Sequence, residues 1–315
     1  MAKKYAFGVD IGGTSVKIGF FTVKGKLLKS WEIPTVKTDG GAQILPDIAA
    51  AIKEYLAVNE SSLDEVVGIG MGIPGPVLAD GTVNKCVNLG WGVINAASEM
   101  SDLCDGILVR CGNDANVAAL GEMWQGGGRG HKNVVMVTLG TGVGGGVIVD
   151  GKIVGGSFGA GGEIGHIKVE EDEPETCGCG KHGCLEQYAS ATGIVRLAKL
   201  RLAQDDASTT LRGRQNLTSK VIFDDARAGD AVAKELVGAL GKYLGTALSY
   251  ISCVVDPEIF VIGGGVSKAG DILLDAIRKN FRENAFHASR NAKFAIAELE
   301  NEAGMYGAVK LVLGE

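Results

Sequence analysis

Three of the chain's seven cysteines, Cys177, Cys179 and Cys184, fall in one short stretch, "CGCGKHGC". Two histidines lie near them, His166 in "GGEIGH" and His182 inside the cysteine run, and Glu163 and Glu186 flank the group. Thiolates with an imidazole are zinc donors, and a structural zinc site closes its shell with four nitrogen or sulfur ligands. His182 sits between two of the cysteines, where chain geometry is cramped. His166 stands eleven residues before Cys177, can fold back freely, and is the favoured fourth ligand. The bland alternative is three reduced thiols in a glycine-rich loop. A zinc ion with four protein ligands leaves no position for an activated water, so its role would be structural. A histidine bound through one ring nitrogen keeps the other able to donate. The metal would then pin a loop presenting Glu163, His166 and Glu186, and two carboxylates with an imidazole suit several sugar hydroxyls.

Two glycine loops, "DIGGTS" and "LGTGVGGG", each turn between strand-like segments. Such turns expose successive backbone N–H groups, and glycine lets a phosphate approach them. Gly12, Gly13 and Thr14 in the first loop, and Thr141 and Gly142 in the second, are the expected contacts, with a third cluster at Gly263, Gly264 and Gly265. Asp10 ends its strand beside the first loop, where a carboxylate suits a phosphate carrying Mg²⁺. The plain alternative is a set of ordinary glycine hairpins. The run Gly140–Gly145 satisfies G-x-G-x-x-G, but a dinucleotide fold needs a helix after it, and "GVIVDGKIV" is strand-like instead. In "GNDAN", between a strand and a helix, Asp114 could accept a proton from a substrate hydroxyl while Asn113 holds the same ligand. Equally, Asn113 or Asp114 could simply cap the helix.

The elements that must position these residues come in two similar sets. "YAFGVDIGGTSVKIGFFTVKGKLL" reads as strand, glycine turn, strand, tight turn, strand, and "NVVMVTLGTGVGGGVIVDGKIV" repeats the order. Setting Gly25–Lys26 on Gly151–Lys152 brings Gly19 onto Gly145. Ile44, Ile48, Ile52 and Tyr55 recur at helical spacing. "VVGIGMGIPGP" and "GILVRCGNDAN" are strands, the second leading to a helix over Val117–Trp124. Further on come a long amphipathic helix in "DAVAKELVGALGKYLGTALSYI", a buried strand in "EIFVIGGGVS", a strand in "KFAIAEL" and a terminal helix in "NEAGMYGAVKLVL". Alternating strands and helices indicate an α/β fold. The expected domains are 1–120, joined by the C-terminal helix 302–315, and 121–301 with the cysteine loop.

With 46 % apolar and 22 % charged residues over 315 positions, the chain has the composition of a globular protein of one large or two medium domains. A net charge of −6 without a basic run excludes the electrostatic footprint of a nucleic-acid binder. The longest uncharged run, Asn133 to Val149, is short and glycine-rich, which argues against a membrane span. "MAKKYAFGVD" holds no apolar stretch long enough for an export signal, so the expected location is the cytoplasm, where thiols stay reduced.

"DIGGT", "GIPGP", "NLGW", "NDAN", "GTGVGGG", "GGEIGH", "CGCGKHGCLE" and "IGGGVS" stand in the order seen in the ROK family of repressors, open reading frames and sugar kinases, which the chain resembles over nearly its whole length. The cysteine motif with its upstream E-x-x-H is the specific part. The resemblance implies two ribonuclease-H-like domains of the actin and hexokinase type with a ligand cleft between them. It implies ATP-dependent phosphorylation of a hexose, most closely as in bacterial glucokinases, in a homodimer or higher homo-oligomer. It also implies zinc on His166, Cys177, Cys179 and Cys184, sugar on Asn113, Asp114, Glu163, His166 and Glu186, and Asp114 as the base. The first two glycine loops would hold phosphates, and Gly263–Gly265 would lie near the adenosine. Relatives often carry Glu where this chain has Gly112. The alternatives within the resemblance are a kinase of another hexose or N-acetylhexosamine, and a sugar-sensing regulator. Regulators carry a helix-turn-helix before the first glycine loop, and here the first strand starts by Tyr5.

Overall fold

A computed structural model describes residues 3–314. The chain opens with β1 (Tyr5–Ile11), β2 (Ser15–Thr22) and β3 (Leu27–Pro34), an antiparallel meander. It continues through α1 (Ile44–Val58), β4 (Val66–Ile73), the hairpin β5 (Thr82–Cys86) and β6 (Trp91–Asn95), α2 (Ala96–Leu103), β7 (Val109–Asn113) and α3 (Asp114–Gln125). The repeat follows as β8 (Val134–Leu139), β9 (Val143–Val149) and β10 (Lys152–Ile153). Then come α4 (Glu186–Ala189), α5 (Ala191–Gln204), α6 (Ser219–Arg227), α7 (Ala231–Val255), β11 (Ile259–Gly263), α8 (Asp271–Asn284), β12 (Lys293–Ile296) and α9 (Ala303–Leu313).

The two main sheets have the orders β3-β2-β1-β4-β7 and β10-β9-β8-β11-β12. In each, an antiparallel meander supplies three strands and two later strands add in parallel, so the duplication read from the sequence is a duplication of topology. The helix anticipated after "GILVRCGN" starts at Asp114 rather than Val117, because Asn113 caps it: its Oδ1 accepts the Asn116 N–H at 3.1 Å. The β5–β6 hairpin has no counterpart in the second sheet, and its Trp91 donates from Nε1 to the Gly41 carbonyl at 3.0 Å.

The chain forms two compact units. The first comprises Met1–Lys132, Gly146–Gly162 and Glu298–Glu315, and the second comprises Asn133–Gly145 and Glu163–Ala297. In the first unit, Phe7, Val9, Ile18, Ile48, Ile52, Ile69 and Met71 form a core between the sheet and α1. On the other face α9 lies against β1, β4 and α3. Its approach is set by missing side chains: a Cβ on Gly70 would overlap the Ala308 carbonyl, and one on Gly307 would overlap the Val117 carbonyl. The fully buried Glu122 of α3 accepts N–H bonds from Gly127, Glu298 and Leu299 at 2.8–3.0 Å, tying the chain leaving α3 to the chain entering α9.

Candidate functional site

In the first unit the carboxyl ends of parallel strands bring the candidate residues together. Asp10 of β1 pairs in register with Gly72 of β4, which pairs with Gly112 of β7. Strand ends of this kind are where α/β folds place ligands. Gly72 carries no side chain, and a Cβ there would lie 3.7 Å from Asp10 Oδ1. Asp10 and Asp114 are close enough for their charges to interact. Burial, reinforced by the Asp114 carboxylate and opposed by Lys17, pushes the Asp10 pKa up to about 6. Beyond β1, Gly12 N–H bonds the Ser15 carbonyl at 3.0 Å, and Thr35 Oγ1 donates to the Gly12 carbonyl at 2.7 Å. These bonds fix the turn while Thr14 is exposed and Gly13 has open space beside it.

Asn113 caps α3, and Asp114 is its first residue. Asn113 caps through Oδ1 and donates from Nδ2 to the Gly75 carbonyl at 3.1 Å. Asp114 Oδ1 accepts its neighbour's N–H, that of Ala115, at 2.8 Å. So the capping alternative holds for Asn113, while Asp114 presents a half-buried carboxylate at the helix start.

In the second unit the cysteine segment folds into a tight loop. Cys177 N–H bonds the Lys181 carbonyl at 2.7 Å, and Gly180 and Gly183 take left-handed φ of 84° and 77°. One ligand atom from each of His166, Cys177, Cys179 and Cys184 lies within 4.8 Å of the others. Cys179 Sγ is 3.6 Å from Cys184 Sγ, and Cys177 Sγ is 3.8 Å from His166 Nδ1. The edge of a tetrahedron with zinc–sulfur bonds is about 3.7 Å, close to these two separations, so the four donors are a set that could hold Zn²⁺. His182 turns elsewhere, with Nδ1 3.1 Å from the Glu173 carbonyl. His166 directs Nδ1 to the thiols and Nε2 towards Glu163, 4.0 Å from its Oε2.

Glu186 begins α4. Its Oε2 accepts the Val143 N–H at 3.0 Å, and its Oε1 lies 3.8 Å from Cys177 Sγ. Gly142 has to be glycine for this approach, because a Cβ there would overlap the Glu186 carboxylate. The glycine loop between β8 and β9 is held further by Ala191 N–H to the Gly140 carbonyl at 2.8 Å and Thr192 Oγ1 to the Thr141 carbonyl at 2.7 Å. Beside it, Gly263 of β11 pairs with Thr138 of β8, and Gly264 (φ 82°) turns against the Leu139 backbone. No helix follows Gly140–Gly145, in keeping with the rejected dinucleotide reading. A hollow of about 730 Å³ opens at Thr141, lined also by Thr192, Arg196, Lys199, Thr218 and Ser219.

Sequence reading missed the group that anchors this loop from behind. Glu173, in the acidic run "EEDEPE", is 6 % exposed. It accepts from Tyr188 Oη and from Arg196, whose guanidinium also lies 5.6 Å from the Tyr188 ring centroid. Burial works against its charge, yet the bonds from Tyr188, the Glu175 N–H and Arg196 together hold its carboxyl below the usual range. The one available signal was Arg196, a cation on the helix following the cysteines.

The sequence signature of the ROK family matches residues 6–315. A glucokinase of Halalkalibacterium halodurans is 43 % identical over 99 % of this chain and 96 % of its own. The structure resembles that of a ROK family glucokinase from Streptomyces griseus in complex with glucose and AMPPNP, with TM-score 0.73 and 35 % identity over 98 % of each chain. It also resembles a ROK family transcriptional regulator, with TM-score 0.84 and 26 % identity over 98 % of this chain and 77 % of the regulator. With its duplicated sheets, its glycine loops and a match that runs from β1 to the C-terminus, the chain belongs to the ROK family and has the two-domain actin-like sugar kinase fold.

Proposed function

We propose that this chain transfers the γ-phosphoryl group of ATP to the 6-hydroxyl of glucose. The observation that carries the reading is the placement of His166. One ring nitrogen faces three thiols, and the other faces Glu163 in a loop that also holds Glu186. That arrangement presents a fixed imidazole and two carboxylates to the hydroxyls near C1 to C3. The likeness to glucokinases over the whole chain supports a hexose acceptor and ATP as donor.

Asn113 and Asp114 hold the C4 and C6 side. Asp114 accepts the 6-hydroxyl proton as that oxygen attacks the γ-phosphorus in line; the bond from phosphorus to the bridging oxygen breaks, and ADP leaves. Backbone N–H groups of the Gly12–Thr14 and Gly140–Gly142 loops, with the Thr14 and Thr141 hydroxyls, meet the phosphates. The hollow at Thr141, with Lys199 and Arg196 in its wall, takes part of the nucleotide, and Gly263–Gly265 meet the adenosine. Asp10 is the residue for Mg²⁺, which supplies neutralisation of phosphate charge. Zinc on His166, Cys177, Cys179 and Cys184 supplies rigidity to the sugar-binding loop. The reading is tested by replacing Asp114 with Asn and following sugar-dependent ADP release: turnover should fall at least about 10²-fold with the fold intact. Near-normal turnover removes Asp114 from the role of base.

A further inference from the structure

The first unit contains a cavity of about 770 Å³ whose lining, Asn113 apart, takes no part in the proposed reaction. It lies at the free edge of the first sheet, where β7 is the last strand. Arg110 and Gly112 share one face of that strand, two residues apart. Asn116 and Leu120 share one face of α3, four residues apart. Lys152 of β10 and Lys310 of α9 complete a wall with three cationic side chains and, among the described residues, no Asp or Glu. Gly112 adds no side chain, and a Cβ there would come within 2.9 Å of Val117 Cγ2, so the strand lies close against α3 at this point.

Asn116 is the second, independent observation. It is only 3 % exposed, and its orientation is fixed because Nδ2 donates to the Gly161 carbonyl at 2.9 Å. Its Oδ1 is left buried without a hydrogen-bond partner. A buried acceptor in that state is costly unless a donor reaches it. The wall therefore asks for two things at once: negative charge near Arg110 and Lys310, and a hydroxyl donor near Asn116.

We propose that this cavity is a second small-molecule site, separate from the sugar-binding loop, and that it takes a phosphorylated polyol. The phosphate meets the Arg110 and Lys310 side chains, and a ligand hydroxyl donates to Asn116 Oδ1. Arginine suits a phosphate through its planar fork of donors, and lysine as a point charge. Asn113, assigned to the sugar, also borders the cavity, and its side chain is oriented by the α3 cap and by its bond to the Gly75 carbonyl.

The test is calorimetric titration of the full-length protein with fructose 1,6-bisphosphate in the presence of saturating glucose and AMPPNP, so that the proposed substrate sites are filled. This probe already carries phosphate at C6 and cannot be a 6-hydroxyl acceptor. The expected result is saturable binding that Arg110→Gln or Lys310→Gln each weakens about tenfold, as for one lost charge-assisted hydrogen bond. Neither substitution should change turnover in the absence of the probe. Inorganic phosphate should bind at least about tenfold more weakly than the sugar bisphosphate, because it brings no donor for Asn116 that also reaches the cations. Absence of binding up to millimolar probe would overturn the proposal. So would binding that both variants leave unchanged, or equal affinity for inorganic phosphate.

Discussion

Glu186 touches two parts of the second unit at once: its Oε2 takes the Val143 N–H at 3.0 Å, and its Oε1 stands 3.8 Å from Cys177 Sγ. The residue expected to hold a sugar hydroxyl therefore also anchors the glycine loop expected to hold phosphate. Glu186→Ala and Glu186→Gln separate the roles. Glutamine keeps an oxygen for Val143, so the KM for ATP should stay near normal while the KM for sugar rises. Alanine loses both, and the KM for ATP should rise as well, by about tenfold for a lost bond to a charged acceptor. Steady-state kinetics with each substrate varied in turn checks this. An unchanged KM for ATP in the alanine variant would contradict the anchoring role.

Asp10 gives a pH signature. Its carboxyl is pushed up to about 6, by burial first and by Asp114 second. Magnesium needs the ionised form, so the KM for Mg·ATP should climb as pH falls through about 6, and added Mg²⁺ should offset the loss. The stability effect has the opposite sense. A raised carboxyl pKa favours the folded state fully below the unfolded value of about 3.9, and that contribution is lost as pH rises through about 6. Asp10→Asn should therefore be no less stable than the parent at pH 8, by melting in the absence of nucleotide, while its Mg·ATP binding is abolished. A variant that melts much earlier at pH 8 would show that the Asp10 charge is stabilised by contacts beyond those described.

The Cys₃His cluster should carry one zinc per chain by elemental analysis. Cys184→Ser, or a strong chelator, should remove it and loosen the Glu163–Glu186 segment in hydrogen exchange. The first unit should keep its protection, since none of the ligands belongs to it. The Glu173–Arg196–Tyr188 group should hold the back of the loop in the metal-free protein. Unchanged exchange after metal loss would show that this group alone suffices. Glu173→Gln removes the buried charged acceptor of Tyr188 and Arg196 while Arg196 keeps Glu175, and should cost about 1–3 kcal/mol.

Packing of α9 depends on glycine as well as on the buried Met305, Val309 and Val312. Gly307→Ala would drive a methyl into the Val117 carbonyl of α3, which no rotamer change relieves, so thermal unfolding should show a loss of several kcal/mol, about 3 or more. A loss below about 1 kcal/mol would mean that α9 can shift outward at little cost.

What the sequence made legible was local. The two meanders announced themselves by strand, glycine turn and strand, and the thiols by spacing alone. The relation of Glu186 to Val143 was hidden, because the partners are 43 residues apart and the acceptor meets a backbone N–H that any residue could supply. Glu122 was hidden for the same reason: its three donors are main-chain groups, two of them more than 170 residues away. The buried acceptor of Asn116 could not be read either, since "NDAN" shows an amide but not whether it is satisfied. Glu173 was misleading, an acid within an acidic run whose burial depends on an arginine 23 residues on.

The most direct test of the central claim is ADP release from Mg·ATP by the zinc-loaded protein against a panel of hexoses and N-acetylhexosamines, with a no-sugar blank and Asp114→Asn in parallel. The account predicts strong release with glucose, little in the blank, and a fall of at least about 10²-fold in the variant. Absence of sugar-dependent release in folded, zinc-containing protein would contradict it.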